Sequence, residues 1–265
     1  MKKFLALAMA VAMTLGVVGC GGTEEKPAEG ENTEATEEGT EEKPVLKMGV
    51  SADFPPFESF DVDGTTIIGY DVDMMAEIAD RLGMELEVKD MNFDTVVTAV
   101  QGGKLDVGAT GITITPERLE SVNFSEPYFS ATQSILVPKD SAITGMADLA
   151  EGEAKAGVQL GTTGDIMASE VMGERVRQYE KFGDALAALM AGKIECMILD
   201  TGVAEAYAAA NDLVVAGEFT TGDEVEQYGI AVAKENTELL DKINAELAEM
   251  KEEGFFDELN TKYFG

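Results

Sequence analysis

The sequence predicts an α/β protein of two lobes, each a mostly parallel sheet flanked by helices, joined by two crossing hinge strands. An internal similarity predicts the two sheets, because FDTVVTAVQGGK (residues 93–104) and FGDALAALMAGK (residues 182–193) share the spacing from Phe to Lys. Each segment predicts a helix that ends at glycine and leads into a buried strand, which is the repeating unit of parallel α/β sheets. The alternative is chance resemblance between two common helix-to-strand units.

A second similarity predicts where the chain crosses between the lobes. The segments SILVPKDS (residues 134–141) and GIAVAKEN (residues 229–236) are both strand-like and lie at the two ends of the second copy. If the chain leaves the first lobe along one and returns along the other, the first lobe is discontinuous and a cleft separates the lobes. The hinge is then expected near residues 134–137 and 229–232.

These crossings set the predicted domain boundaries. We expect the first lobe at residues 45–134 plus 231–265 and the second lobe at residues 138–226. After the return strand, NTELLDKINAELAEMKEEGFF predicts a C-terminal helix, because its apolar residues recur at helical spacing and Gly254 can end it. This helix is expected to pack on the first lobe.

The N-terminus predicts export and a membrane anchor. Residues 1–19 have a basic start, a short apolar stretch and small residues before Cys20, which is the layout of a secretory signal peptide. The segment GVVGC resembles a bacterial lipobox, in which Cys20 receives a lipid; the alternative is an ordinary cleavage site with a free thiol. Residues 20–44 are rich in glutamate and lack large aliphatic side chains, so we expect a disordered acidic tether.

Charge and composition exclude several functions. A net charge of -32 argues against nucleic-acid binding, which needs a basic surface. The chain has no histidine, which removes the commonest metal ligand and the commonest general base. Our expectation is a binding protein without metal or cofactor. The second cysteine, Cys196, lies in the apolar run IECMIL and is expected to be a buried, inert thiol.

One arginine breaks a local rule of helix formation. In TGITITPER, Thr115 is the expected N-cap and Pro116 the first residue of a helix, which places Arg118 in the first turn. A cation there faces the positive end of the helix dipole. An anion would compensate Arg118 and the free N–H groups together, whereas the alternative is a solvated surface arginine.

Polar residues also stand where the predicted strands end. Ligands of open α/β sheets bind at the carboxyl ends of strands, where the first copy has Thr110 and Gly111 and the second copy has Asp200. A third candidate follows the strand KAGVQL, because GTTGD (residues 161–165) is a turn that opens a helix and can hold an anion through its N–H groups.

Together these groups suit the head of an α-amino acid, which carries one anion and one cation. Arg118 and the turn at residues 161–165 would bind a carboxylate, and Asp200 would bind an ammonium with Thr113 and the Gly111 carbonyl. For Asp200 the alternative role is the N-cap of the following helix.

Two aromatic residues are candidates for the walls around the ligand side chain. Phe54 lies on a rigid Pro-Pro loop, and Tyr70 precedes Asp71, the expected N-cap of an amphipathic helix. Two rings of this kind could enclose an aliphatic chain. Phe57 is expected in the core.

A set of segments carries a resemblance to a known family. From Val45 onward the chain resembles the polar amino-acid members of the bacterial extracellular solute-binding proteins, family 3, with the type II periplasmic binding fold. The segments that carry it are ADFPPFE, GYDVDMMAEIA, FDTVVTAVQGGKLDVGATGITITPER, FSEPYF, GVQLGTTGD, GKIECMILDTGVA, YGIAVAKENTELLDKIN and GFFDELNTKYFG.

The resemblance implies roles for individual residues and for the protein. The α-carboxylate is held by Arg118 and Thr163, the ammonium by Asp200, Gly111 and Thr113, the side chain by Phe54 and Tyr70, with Thr110, Thr162 and Gln159 at the cleft edge. The protein is then a monomeric, lipid-anchored capture protein on the outer face of the cytoplasmic membrane. It binds a free amino acid and delivers it to the permease and ATPase of an ABC transporter.

The sequence departs from some relatives of this family at two positions, Ser51 and Gln159. Binders of basic side chains often carry an acid where this chain has Ser51, and some glutamine binders carry a lysine where it has Gln159. A neutral polar amino acid is therefore expected, although Glu58 and Asp53 keep a cationic one open. Two other functions remain as alternatives, an enzyme on this scaffold similar to cyclohexadienyl dehydratase and an amino-acid sensing module.

Overall fold

The computed structural model describes residues 43–220 and 225–265. The predicted signal peptide, Cys20 and nearly all of the acidic tether lie outside the described residues. Within the described part of the chain, none of the helices has both the length and the apolar character needed to cross a membrane.

The strands have the following bounds. In chain order they are β1 (Val45–Val50), β2 (Asp53–Phe54), β3 (Glu58–Phe60), β4 (Ile67–Ile68), β5 (Glu85–Asp90), β6 (Val107–Gly108), β7 (Val122–Phe124), β8 (Phe129–Ala131), β9 (Gln133–Pro138), β10 (Ala156–Gln159), β11 (Val176–Tyr179), β12 (Cys196–Asp200), β13 (Leu213–Glu218), β14 (Glu226–Tyr228) and β15 (Ala231–Ala233).

The helices alternate with these strands, as an α/β fold requires. They are α1 (Tyr70–Arg81), α2 (Phe93–Gln101), α3 (Pro116–Ser121), α4 (Met146–Glu151), α5 (Thr163–Met172), α6 (Phe182–Met190), α7 (Thr201–Ala210), α8 (Thr237–Glu253) and α9 (Phe255–Phe264), with a short 3-10 helix at Gly173–Arg175. Both copies of the internal similarity form the predicted unit, because α2 leads into β6 and α6 leads into β12.

Two five-stranded sheets form the two lobes. The first sheet has the order β5-β1-β6-β15-β7, in which β1 is parallel to β5 and β6 and β15 is antiparallel to its neighbours. The second has the order β11-β10-β12-β9-β13, in which β10 is parallel to β11 and β12 and β9 is antiparallel to its neighbours. The predicted fold class is confirmed.

Two short strands, β8 and β14, belong to neither five-stranded sheet. Strands β8 and β14 pair with each other in an antiparallel ribbon outside both sheets. The predicted crossings, at residues 134–137 and 229–232, instead fall largely within β9 and β15, inside the sheets. A mostly apolar run indicates a strand buried on both faces, which agrees with the position of these segments inside the sheets.

The C-terminal helix packs on the first lobe, as predicted. Ile243, Leu247 and Met250 of α8 are buried, and the helix contacts α1 and β15. Gly254 ends α8 with a φ of 82°, in the left-handed region that glycine adopts without strain. In the second lobe Cys196 is buried, and burial raises the pKa of its thiol to about 12, in keeping with an inert side chain.

Candidate ligand-binding cleft

A small cavity lies where the two sheets present the ends of their strands. It is lined by Phe54, Phe93, Gly111, Thr113, Arg118, Gln159, Thr162, Thr163 and Asp200. All the predicted site residues except Tyr70 and Thr110 therefore line one cavity, and they come from both lobes. Phe93 is the lining residue that the sequence interpretation missed.

Arg118 reaches across the cleft. Its Nη1 donates to the Thr113 carbonyl at 2.7 Å, and its Nη2 donates to the Gly161 carbonyl of the second lobe at 3.0 Å. The guanidinium carbon lies 5.3 Å from the centre of the Phe93 ring. Burial lowers the pKa of Arg118, against the opposing charges of Glu226 and Asp200.

The positive charge of Arg118 has no partner in direct contact among the described residues. No described carboxylate lies within 4.0 Å of the guanidinium, and both hydrogen bonds given above go to neutral carbonyl oxygens. A desolvated charge without a counter-ion costs free energy, and an anion in the cavity would remove that cost. Thr115 caps α3 as predicted, through a bond from the Arg118 amide at 3.2 Å.

Asp200 provides the opposite charge at the end of β12. It is 6% exposed, and its Oδ1 accepts a short hydrogen bond from the Tyr228 hydroxyl. Burial raises the pKa of Asp200 to about 7, and the nearby charge of Glu226 adds to the rise. Asp200 occupies the N-cap position of α7, but its side chain makes no capping bond, so the carboxylate is directed to other partners. A cation in the cavity would stabilise its ionised form.

Two hydroxyls face each other across the cleft and share one acceptor. The Thr113 hydroxyl donates to Glu226 Oε2 at 2.6 Å, and the Thr163 hydroxyl donates to the same oxygen at 2.7 Å. The sequence interpretation missed Glu226. Its position directly before the return strand was visible, but nothing local indicated that β14 lies beside Thr113.

The turn at residues 161–165 is held by its own side chains. Thr162 caps α5 by accepting from the Asp165 amide at 3.0 Å, and the Asp165 carboxylate accepts from the Gly161 amide at 3.0 Å. The Thr162 hydroxyl donates to the Gln159 carbonyl at 2.8 Å. These bonds fix the turn so that Thr163 lines the cavity.

The prediction that Tyr70 forms a wall of the site is wrong. Tyr70 is 1% exposed and does not line the cavity; its ring packs against Phe129 at 5.6 Å, Tyr263 at 6.1 Å and Phe264 at 6.0 Å. The C-terminal helix α9 supplies two of these rings. The sequence around Tyr70 gives no signal for contacts with Tyr263 and Phe264, which lie far away in the chain.

The aromatic walls are Phe54 and Phe93. Phe54 packs on Phe57 at 5.4 Å and on Phe182 at 5.9 Å, so its ring is held from behind. Phe57 is 1% exposed and belongs to the core, as predicted. Phe93 begins α2, and the sequence around it predicted only the start of a helix.

Two predicted cleft residues have supporting contacts. The Thr110 hydroxyl accepts from the Ser51 amide at 3.0 Å and donates a short bond to Glu58, and Thr110 itself is buried behind the cavity. The Gln159 side-chain amide lines the cavity and donates to the Ser51 hydroxyl of the first lobe at 3.1 Å. It also donates to the Glu180 carbonyl at 3.1 Å.

A buried carboxylate fixes the backbone at Gly111. The expected N-cap role of Asp71 is wrong, because α1 begins at Tyr70 after Gly69 and the Asp71 carboxylate points elsewhere. Its Oδ2 accepts from the Gly111 amide at 2.8 Å and from the Tyr128 hydroxyl at 2.7 Å. Burial raises the pKa of Asp71 to about 7. Gly111 has a φ of 57°, and an added Cβ would meet the Phe54 ring at 2.5 Å, so only glycine fits.

Comparison with known proteins gives a consistent result. The family model of the bacterial extracellular solute-binding proteins, family 3, matches residues 46–265. The arginine-binding extracellular protein ArtP of Bacillus subtilis (strain 168) is 32% identical over 100% of this chain and 98% of its own.

Solved structures extend this similarity to the fold. The arginine-bound form of truncated ArgBP from T. maritima has a TM-score of 0.73 and 46% identity, over 78% of this chain and 96% of that chain. An ancestral arginine-binding protein, solved with arginine and with glutamine, has a TM-score of 0.78 and 40% identity in both structures, over 84% of this chain and 99% of that chain.

Proposed function

The chain belongs to the bacterial extracellular solute-binding proteins, family 3, and we propose that it captures a free α-amino acid outside the cell for an ABC transporter. Its relatives are binding proteins, so it is not an enzyme. The observation that carries the proposal is a pair of opposite charges, Arg118 and Asp200, that line one cavity between the lobes. An α-amino acid presents the complementary pair on a single carbon atom.

Each end of the ligand head has a matching group in the cleft. The α-carboxylate binds Arg118 and the Thr163 hydroxyl, and the ammonium binds Asp200, Thr113 and the Gly111 carbonyl. Charged hydrogen bonds of this kind contribute about 1.5 to 3 kcal/mol each, and a bidentate contact to the guanidinium also fixes the ligand's direction. Because the groups come from both lobes, the ligand links them, and the ribbon of β8 and β14 is the natural hinge for closure.

The ligand side chain is proposed to be neutral and polar, and glutamine is the first candidate ligand. Four polar residues of the lining are assigned to the head: Arg118, Asp200, Thr113 and Thr163. The remaining polar residues of the lining, Thr162 and Gln159, are neutral. Gln159 bonds to Ser51, so an amide and a hydroxyl meet at this end of the site. Phe54 and Phe93 would contact the aliphatic part of the side chain.

Arginine is the second candidate, and two observations favour it. The T. maritima relative, at 46% identity, is described as arginine-bound, and the ancestral protein was solved with either arginine or glutamine. Within this chain, the Asp53 carboxylate accepts from the Ser51 hydroxyl at 2.9 Å, and Ser51 in turn accepts from Gln159 of the cavity lining, so a negative charge lies one residue behind the lining. The ligand screen below therefore includes both glutamine and arginine.

We further propose that the protein acts from a membrane anchor as a monomer. A lipidated Cys20 followed by the acidic tether would hold the folded part outside the cytoplasmic membrane, near the permease and ATPase that receive the ligand. The proposed lobes are those of the two sheets, with the second lobe beginning at Gln133.

A ligand screen tests the proposal. Purified protein, freed of bound ligand by unfolding and refolding, is heated with each standard amino acid and with cystine. A ligand at 100 times its dissociation constant stabilises the folded protein by about 2.7 kcal/mol, which raises the melting temperature. Glutamine or arginine is expected to give the largest increase. No increase with any amino acid would refute the proposed function.

A further inference from the structure

The carboxylate of Glu226 accepts hydrogen bonds from two hydroxyl groups that the ligand is proposed to use. Its Oε2 accepts from Thr113, which belongs to the first lobe, and from Thr163, which belongs to the second. One side chain thus joins the lobes at the point where a ligand carboxylate is expected.

The backbone holds Glu226 in this position. Strand β14 pairs with β8, and Tyr228 forms a bridge with Thr113, so Glu226 stays beside the first lobe. Thr163 belongs to the other lobe, so it meets Glu226 only when the cleft is closed. The bond between Glu226 and Thr163 therefore favours the closed arrangement of the two lobes.

Hydrogen-bond stoichiometry makes this bond incompatible with donation from the Thr163 hydroxyl to a ligand carboxylate. A threonine hydroxyl has one proton to donate. While the Thr163 proton is bonded to Glu226, it cannot be donated to the α-carboxylate of an amino acid. Thr113 is less affected, because its oxygen can still accept from an ammonium. The charge of Glu226 also acts on Arg118, so it opposes a second carboxylate beside the guanidinium.

We propose that Glu226 is an internal carboxylate that holds the two lobes together through Thr113 and Thr163 and must release Thr163 when the carboxylate of an amino acid takes that hydroxyl. The inference rests on the proposed function and deepens it, because it adds a residue that sets the affinity. Removal of the carboxylate is expected to strengthen ligand binding and to open the ligand-free protein.

Calorimetric titration with glutamine and with arginine tests the effect on affinity. The variants Glu226→Ala and Glu226→Gln are expected to bind the preferred probe at least threefold more tightly than the unaltered protein, with Glu226→Gln as the conservative form should Glu226→Ala fail to fold. The control is Glu117→Gln, which removes the same charge from an exposed residue near Arg118. Its affinity is expected to stay within twofold of the unaltered protein.

The results separate the inference from the proposed function. If the unaltered protein binds amino acids but the Glu226 variants bind equally or more weakly, the inference is wrong, and a weaker affinity would make Glu226 a ligand contact. If the unaltered protein binds none, the proposed function fails instead. In that case small-angle scattering still tests whether Glu226 holds the two lobes together. Ligand-free Glu226→Ala should have a larger radius of gyration than the unaltered protein, and equal radii would overturn the inference.

Discussion

The Nη2 group of Arg118 donates to the carbonyl oxygen of Gly161 across the cleft, at 3.0 Å. Arg118 is in the first turn of α3 in the first lobe, and Gly161 opens the turn that starts α5 in the second. The arginine that opposes its own helix dipole is therefore held against the other lobe. The two groups expected to bind an anion are parts of one site.

Arg118→Ala is expected to abolish amino-acid binding and to leave the fold intact. Removal of one partner of a buried charge pair costs about 3 to 5 kcal/mol, which weakens binding by more than a hundredfold. Calorimetry measures the affinity, and circular dichroism checks the fold. Arg177→Ala, which alters an exposed arginine, is the control. A loss of less than tenfold for Arg118→Ala would show that Arg118 does not bind the ligand carboxylate.

Asp200→Asn is expected to weaken binding and to stabilise the ligand-free protein at high pH. Folding raises the pKa of Asp200 from about 4 in the unfolded chain to about 7, so the ionised form destabilises the fold. That destabilisation grows as the pH rises from 4 to 7. At pH 8 the variant should melt on the order of 3 °C or more above the unaltered protein, and the difference should vanish near pH 4.

Melting curves over this pH range measure the effect. The hydrogen bond from Tyr228 is retained in the variant, because an asparagine oxygen can accept it. A variant that melts lower than the unaltered protein at pH 8 would show that the ionised carboxylate stabilises the empty cleft.

Phe93→Ala is expected to weaken binding at least tenfold, because it removes one aromatic wall and the contact with Arg118. Tyr70→Leu, by contrast, should leave the affinity within twofold, because the Tyr70 ring lies in the core and does not line the cavity. Calorimetry on both variants checks the assignment. The reverse ranking of the two variants would restore Tyr70 as the wall.

Cys20→Ser is expected to release the protein from the membrane into the surrounding fluid, since the thiol is the proposed site of lipid attachment. Cell fractionation followed by detergent phase partitioning measures the release. Cys196→Ser is the matched control, because that thiol is buried in the second lobe and should not affect localisation. Equal membrane retention of both variants would argue against the anchor.

Much of the fold was predictable because its signals are local. Helix periodicity, glycine ends and apolar runs identified α2, α6, β6 and β12, and the conflict with the helix dipole singled out Arg118. Asp200 was predicted at the cleft because it follows an apolar strand directly, and ligands of open α/β sheets bind at the carboxyl ends of strands.

The errors concern contacts between residues far apart in sequence. Tyr70 is buried by α9, and Glu226 reaches Thr163 only through the pairing of β14 with β8. The ribbon of β8 and β14 was not predicted, because strands of three residues are too short to show an apolar pattern.

Recognition of both charges on the ligand head is the central claim, and one calorimetric series tests it most directly. The preferred amino acid is titrated beside its α-amide, which lacks the carboxylate, and its N-acetyl form, which lacks the ammonium. We expect the free amino acid to bind and each blocked form to bind at least a hundredfold more weakly. A blocked form that binds as tightly as the free amino acid would contradict the assignment of Arg118 and Asp200 to the two ends of the ligand.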